Sequence, residues 1–316
     1  MNKTISILVP VKNEEAALPL LFQELDKRLG ELAKKYDFHV LVLDDGSTDS
    51  TADIVKRYSS NSYSIGLCSF TRNFGKEAAI AAGLERCESD VYIIMDSDLQ
   101  HPPSLIPEMI SKWEEGYKIV EGVKLDRGNE SLLYRLFSML FYKSLNSMGS
   151  LDLKDLSDYK LIDRELVDIM RGLPEKSRFF RGLIDWMGYS KHQIPFQVPD
   201  REAGTTSWST WQLIKFSLSA ISSFSSAPLQ FVTVIGMSML AISVLLGSVT
   251  LYQWVSGQAV TGFTTVIILL LAIGSMLMVS LGLIGLYLAR IYEEIKGRPA
   301  YMIKEEIQAS HDSDSR

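Results

Sequence analysis

The chain has 316 residues, 47% of them apolar, and a formal net charge of −6. That is enough for a globular domain and something more, and an acidic balance without a basic block or basic-aromatic motif argues against a nucleic-acid partner. Cys68 and Cys87 lack metal-ligand spacing and read as packing residues of a reducing compartment, while His39, His101, His192 and His311 are too scattered to support a histidine-based metal site.

The N-terminus enters the apolar run Ile5-Ser6-Ile7-Leu8-Val9-Pro10 almost at once, with no charged leader or cleavage site. No export signal is therefore expected, and the soluble part is expected to face the cytoplasm. Residues 5–11 form a first strand, and the turn after it, with Asn13 as helix cap and Glu14 and Glu15 at the positive end, leads into a helix to about Lys34. A second strand, residues 39–43, ends in Asp44-Asp45-Gly46-Ser47, where side-chain oxygens suit a ribose or base edge. Ser47 or Thr48 caps the next helix, residues 49–58.

The third strand, residues 64–69, is followed by a helix rich in Ala78, Ala79, Ala81 and Ala82, small enough to pack close to a sheet. Arg72 and Lys76 stand at its entrance, placed either to meet phosphate oxygens or to pair with nearby acids. The fourth strand runs through Tyr92-Ile93-Ile94-Met95 into Asp96-Ser97-Asp98, and Pro102 and Pro103 stop its continuation. Carboxylates two residues apart at the carboxyl end of a buried parallel strand suit a hard divalent ion, Mg²⁺ or Mn²⁺, which takes one or two carboxylates and completes its shell with phosphate oxygens. A helix over residues 104–115 and a strand over 118–123, ending near Lys124 and Arg127, follow. Five strand–helix alternations predict a doubly wound, mostly parallel α/β sheet with acidic and basic strand ends on one rim.

Residues 131–148 carry apolar side chains at helical spacing, suited to core packing or to a bilayer surface. Asp158 has no local task such as a helix cap and is a candidate catalytic carboxylate; Arg178 and Arg181 flank two phenylalanines, and residues 192–198 form the last expected strand. From Phe216 to Ala289 there is no Asp, Glu, Lys or Arg. Residues 208–227 read as an amphipathic helix with Trp208 and Trp211 at a membrane–water boundary, and residues 228–254 and 263–289 each exceed the ~20 apolar residues that cross a bilayer. Lys215 precedes the pair and Arg290, Lys296, Arg298 and Lys304 follow it, whereas the loop between has no Lys or Arg, so both ends are expected in the cytoplasm. The expected organisation is a cytoplasmic domain over residues 1–207, an interfacial helix to 227, a transmembrane pair to 290, and a cytoplasmic tail from 291 with a disordered end from Ser310.

Pro10-Val11-Lys12-Asn13-Glu14, Asp44-Asp45-Gly46-Ser47, Asp96-Ser97-Asp98-Leu99-Gln100 and Asp158-Tyr159-Lys160-Leu161 with Asp163-Arg164 resemble, in that order, the glycosyltransferase family 2 enzymes that act on polyprenyl phosphates, among them dolichol-phosphate mannose synthases. Ser69-Phe70-Thr71-Arg72-Asn73-Phe74-Gly75-Lys76-Glu77 and the C-terminal apolar pair are similar to those of bactoprenol glucosyltransferases. The resemblance spans nearly the whole chain and implies a GT-A type nucleotide-sugar-binding sheet. It implies that Pro10, Glu14 and Asp45 contact the nucleoside; that Asp96, Asp98 and Gln100 serve the metal and donor diphosphate, with Asp98 the direct ligand; and that Arg201 belongs to a loop closing over the donor. Lys124, with Arg127 and Arg135, would meet the acceptor phosphate, and Asp158 matches the proposed base.

Two departures stand out: Lys124 replaces an arginine, exchanging a planar fork for a point charge, and Ser207 stands where relatives carry a lysine. The implied reaction is inverting transfer of a hexose, glucose from UDP-glucose before mannose from a GDP donor, to undecaprenyl phosphate, with room for self-association through the interface helices. A processive polysaccharide synthase would need a Q-x-x-R-W motif that this sequence lacks, and the rival of another class is a non-catalytic membrane scaffold.

Overall fold

The computed structural model describes residues 2–124, 158–174, 180–197, 227–257 and 262–307. The chain divides into two compact units, one of residues 1–207 with 299–316 and one of residues 208–298.

The first unit is built on an eight-stranded sheet. Its strands are β1 (Lys3–Val11), β2 (Tyr36–Asp44), β3 (Ser64–Phe70), β4 (Val91–Ile94), β5 (Ile119–Lys124), β6 (Lys160–Asp163), β7 (Lys191–Phe196) and β8 (Ile303–Ile307), in the spatial order β7-β5-β6-β4-β1-β2-β3-β8. Strands β3, β2, β1 and β4 are parallel neighbours, and β6 is antiparallel to both β4 and β5. Buried on both faces, β1 and β4 read as continuous apolar runs, which is why their pattern does not alternate. The helices α1 (Leu18–Leu29), α2 (Thr51–Arg57), α3 (Lys76–Arg86), α4 (Ile106–Glu114), α5 (Arg164–Gly172) and α6 (Phe180–Trp186) cover it. Helix α3 lies close enough that a Cβ on Gly83 would come within 2.8 Å of Leu43 Cδ1 and 3.0 Å of Leu8 Cδ1, so its small residues are a packing requirement.

Several expectations need correction. Helix α1 starts at Leu18, and Asn13 does not cap it. Asn13 sits in the left-handed region at φ 56°, where its backbone N–H donates to Ser47 Oγ (2.9 Å) and its Oδ1 accepts from the Thr48 N–H (2.8 Å). It ties the loop after β1 to the loop after β2. Neither Ser47 nor Thr48 caps α2; that position is Ser50, and Asp49 accepts from the Thr51 N–H at 3.0 Å. The last strand of the sheet is not β7 but β8, which pairs antiparallel with β3 and brings part of the expected tail into the fold. Its attachments are the Arg86–Glu306 (2.9 Å) and Lys56–Glu305 (2.7 Å) ion pairs and the stacking of Tyr301 on Phe70 at 5.1 Å.

The second unit contains α7 (Ala227–Val255) and α8 (Phe263–Ile295), each holding a segment long and apolar enough to cross a membrane. Ser238, Ser248, Thr250 and Ser280 spend their hydroxyls on carbonyls one turn back, at 2.8 Å each, so these polar groups are satisfied within their own helices. The amphipathic stretch expected over residues 131–148 and, up to residue 226, that expected over 208–227, together with Arg127, Arg135 and Arg201, lie outside the described residues.

Candidate active site

In an open parallel sheet a site forms beyond the carboxyl ends of the strands, where the connections diverge. Here that point lies between β1 and β4, because β2 and β3 follow on one side of β1 while β4 lies on the other. The turn after β1 supplies Glu14, with Pro10 in the strand itself, and the turn after β4 supplies Asp96 and Asp98. Strand β5 runs parallel to β4 and delivers Lys124 to the same rim. Strand β6 runs the opposite way, with Lys160 opposite Ile94, so its start, and Asp158 just before it, reach that rim too. Residues more than sixty positions apart converge through strand direction.

The loop after β4 is tightly specified. Leu99 adopts φ 59°, rare for a bulky side chain and of the kind retained at functional turns. Asp98, exposed, accepts the Gln100 N–H through Oδ1 at 3.1 Å, and Gln100 Oε1 accepts from Lys124 Nζ at 3.0 Å. The Asp96 N–H donates to Nδ1 of buried His101 at 2.9 Å, and the His101 ring stacks on Tyr159 at 5.0 Å. Burial pushes the His101 pKa down against the opposing pull of Asp96, so the ring is neutral and can accept. Tyr159 in turn donates its hydroxyl to the Pro102 carbonyl at 2.9 Å, which locks the acidic loop to the segment carrying Asp158.

Asp158 is buried beneath two cations. Arg181 donates to both of its carboxylate oxygens through Nε and Nη2, and Lys76 Nζ reaches Oδ2 at 2.7 Å. Burial alone would raise the Asp158 pKa, but Arg181, then Lys76, hold it well below the usual carboxylate range. Lys76 also lies 2.5 Å from Asp96 Oδ1, so one ammonium bridges the two acids. Its own pKa is lowered by burial and raised, on balance, by Asp96 and Asp158. In this structure, therefore, Lys76 pairs with acids. The adjoining Glu77 accepts the Phe180 N–H at 2.7 Å, which seats the start of α6 and with it Arg181.

On the other side of the rim, Glu14 has its pKa raised by burial and by the charges of Asp98, Asp96 and Asp49. Carboxylates that repel one another at a strand-end loop, with hard oxygen donors and one of them exposed, fit a divalent cation. Among the described residues no three His, Cys, Asp or Glu side chains form a full cage, so such an ion would take most of its ligands from substrate oxygens and water, with Asp98 and Asp96 as its protein donors. Asp45, expected to touch the nucleoside, has Oδ1 on the Phe74 N–H (2.6 Å) and Oδ2 on the Gly75 N–H (2.9 Å), and so shapes the loop leading to Lys76. Sequence reasoning missed the work of His101, Glu77 and Arg181, since nothing in their local pattern marks a partner about sixty, a hundred or twenty residues away.

A mostly parallel sheet of this order, with an acidic pair at the switch point and cations gathered on the same rim, is the plan of a GT-A glycosyltransferase. Residues 6–168 match the family model described as glycosyl transferase family 2, and the chain belongs to that family. It is 35% identical over 308 residues to an uncharacterized glycosyltransferase of Synechocystis sp., covering 96% of each chain. It is also 35% identical over 303 residues to the SfII prophage-derived bactoprenol glucosyl transferase of Shigella flexneri, covering 95% of this chain and 97% of that one. Among solved structures, glucosyl-3-phosphoglycerate synthase from Mycobacterium tuberculosis aligns with a TM-score of 0.48 and 21% identity, over 70% of this chain and 76% of that one.

Proposed function

We propose that this glycosyltransferase moves glucose from UDP-glucose to undecaprenyl phosphate, with inversion at the anomeric carbon and with Mg²⁺ or Mn²⁺ bound at Asp98 and Asp96. The observation that carries the reading is the convergence of Asp96, Asp98, Asp158 and Lys76 on one strand-end rim in a chain so similar, over nearly its whole length, to a bactoprenol glucosyl transferase.

When bound, the metal supplies Lewis acidity that neutralises the leaving diphosphate. Pro10 and Glu14 border the nucleoside, with Asp45 shaping the neighbouring loop and Arg201 closing over the donor. Lys124, Arg127 and Arg135 hold the acceptor phosphate. An oxygen of the lipid phosphate forms the new bond to the anomeric carbon as the bond to the diphosphate oxygen breaks. A phosphate monoester has its second pKa near about 6, so at neutral pH the nucleophile is already a dianion with no proton to lose. An aspartate held anionic by Arg181 and Lys76 is suited to fixing those cations, and a general base is not required of it.

The domain arrangement follows the same reading: the catalytic unit over residues 1–207, an interfacial helix over 208–227, two membrane-crossing helices, and a C-terminal stretch on the catalytic side. Support comes from β8, which follows both apolar helices in the chain yet pairs with β3, as expected if the two ends of the helical pair lie on one side of a bilayer. The excess of Lys and Arg at those ends favours the cytoplasm for that side.

The test uses purified full chain in detergent with undecaprenyl phosphate, divalent metal and radiolabelled UDP-glucose, with GDP-mannose in parallel. Label that enters the organic phase from UDP-glucose, and is abolished by chelator, is the expected result. Label from GDP-mannose alone would replace the donor, and label from neither in folded protein would overturn the reading.

A further inference from the structure

Exposure within the Asp158 cluster is uneven in a way that points to a ligand. The Asp158 side chain is 7% exposed, whereas Lys76 is 38% and Arg181 33% exposed. The carboxylate forms the floor, its oxygens taken by Arg181 and Lys76, and the face left open carries cations. An ammonium has three donors and a guanidinium five, and only some are spent on Asp158 and Asp96. A planar fork beside a point charge suits an anion with several oxygens. Lys76 also presents a conflict: while it sits 2.5 Å from Asp96 Oδ1, that oxygen is not free to ligate a cation. Something has to draw the ammonium away.

We propose, resting on the function proposed above and deepening it, that Lys76 and Arg181 form a phosphate subsite anchored from beneath by Asp158, and that Lys76 exchanges Asp96 for phosphate when the subsite fills. Phosphate binding then releases Asp96 to the metal, and by linkage metal binding favours phosphate by the same factor. Asp158 and Glu77 act as positioning residues: the first orients both cations, and the second, through the Phe180 N–H, sets the start of the helix bearing Arg181. The ligand class is a phosphate oxyanion, which a lipid monoester or a nucleoside diphosphate can each supply.

The experiment measures Mn²⁺ binding to the full chain in detergent by electron paramagnetic resonance, and farnesyl phosphate and UDP binding by calorimetry with and without Mn²⁺. Lys76→Gln should bind Mn²⁺ about two- to fivefold more tightly than the unaltered chain when no phosphate is present, the fold-change expected from removing one ion pair about a third exposed. In the unaltered chain Mn²⁺ should tighten one of the two phosphate ligands several-fold more than it does in Lys76→Gln or in Arg181→Met. UDP also meets the metal through its own diphosphate oxygens, so for UDP only this excess over the variants reports the subsite, whereas for farnesyl phosphate the coupling should vanish in both. Coupling with farnesyl phosphate that depends on Lys76 and Arg181 assigns the subsite to the acceptor, and such dependence with UDP alone assigns it to the donor. Lys76→Arg and Arg181→Lys keep the charges, so each should retain part of the coupling; they carry the test if a neutral variant does not fold. Coupling that is absent, or unchanged in Lys76→Gln, for both ligands overturns the proposal. None of these readouts needs sugar transfer: lost coupling with intact lipid glycosylation removes the subsite alone, and intact coupling without glycosylation removes the proposed reaction alone.

Discussion

Replacing Asp158 with asparagine separates a positioning carboxylate from a proton acceptor. The change leaves Lys76 and Arg181 facing a neutral amide. Breaking one side of a fully buried ion pair costs about 3–5 kcal/mol; both cations here are about a third exposed, so solvent screening reduces the loss to about 1–3 kcal/mol. For a unit of this size that lowers Tm by roughly 3–10 °C. Because the folded pKa of Asp158 is depressed, the stabilisation is complete above the unfolded value of about 4 and is lost as pH falls below it toward the folded value. The two variants should therefore converge in stability only in strong acid.

Turnover needs a different readout. Misplaced binding groups cost on the order of a hundredfold, and a missing general base about 10²–10⁴-fold, so the size of the drop does not discriminate. The pH profile does. Ionised at every assay pH, Asp158 contributes no limb, and the lipid phosphate imposes one near about pH 6. We expect kcat/KM for undecaprenyl phosphate to fall below about pH 6 in both proteins, with the Asp158→Asn curve lower and parallel. Recovery of the variant by roughly tenfold per pH unit above neutrality would refute the reasoning, because it would show that a proton had to be removed.

Gly46 adopts φ +70°, and a Cβ there would lie 2.6 Å from the Arg72 carbonyl carbon and 2.9 Å from the Asn73 nitrogen; Gly46→Ala should displace the loop held by Asp45 and weaken UDP binding at least tenfold by calorimetry, while normal affinity would mean that this loop does not border the nucleotide. Ending the chain after Met302 removes β8 and its four cross-strand pairs with β3, worth about 2–6 kcal/mol at roughly one hydrogen bond per pair, and should lower the Tm of the catalytic unit; an unchanged melt would show that β8 does not stabilise the sheet. Lys160→Met removes the fully buried partner of Glu121 Oε1 and leaves Glu121 only the longer contacts of its Oε2 with Lys191 (3.8 Å) and Gln193 (3.5 Å), so it should cost about 2–4 kcal/mol and the double variant with Glu121→Leu much less. Equal losses in denaturant melts would deny the pair its coupling.

The parallel core was legible because β1, β2, β3 and β4 announce themselves as apolar runs ending in Asp, Gly, Asn or Pro, and a chain alternating such runs with helices has few other topologies. The acidic loop was legible for the same reason: a strand must deliver its terminal residues to the rim. Asn13 misled because asparagine serves equally as a helix cap and as a left-handed turn residue, and only the position of Ser47 and Thr48 decides between them. Lys76 looked equally suited to phosphate or acids because its partners lie 20 and 82 residues further on. Arg181 carried no local signal, since its meaning depends on β6 running antiparallel to β4 and returning Asp158 to the rim. Strand β8, Ile-Lys-Glu-Glu-Ile, reads as a polar tail; its glutamates are explained only by Arg86 and Lys56 across the edge.

That last strand ties the order of synthesis to completion of the fold. About 230 residues separate Phe70, at the end of β3, from Ile303, at the start of β8, and at about 5–20 residues per second their synthesis takes on the order of tens of seconds. Through that interval the outer edge of β3 is an open row of backbone donors and acceptors, a template for any stray strand. Both apolar helices emerge before the segment that covers it. Closure of the sheet thus comes last, after the membrane segments have been made, and a chain arrested before that point keeps an exposed edge by which chaperones and proteases can distinguish it from the finished protein.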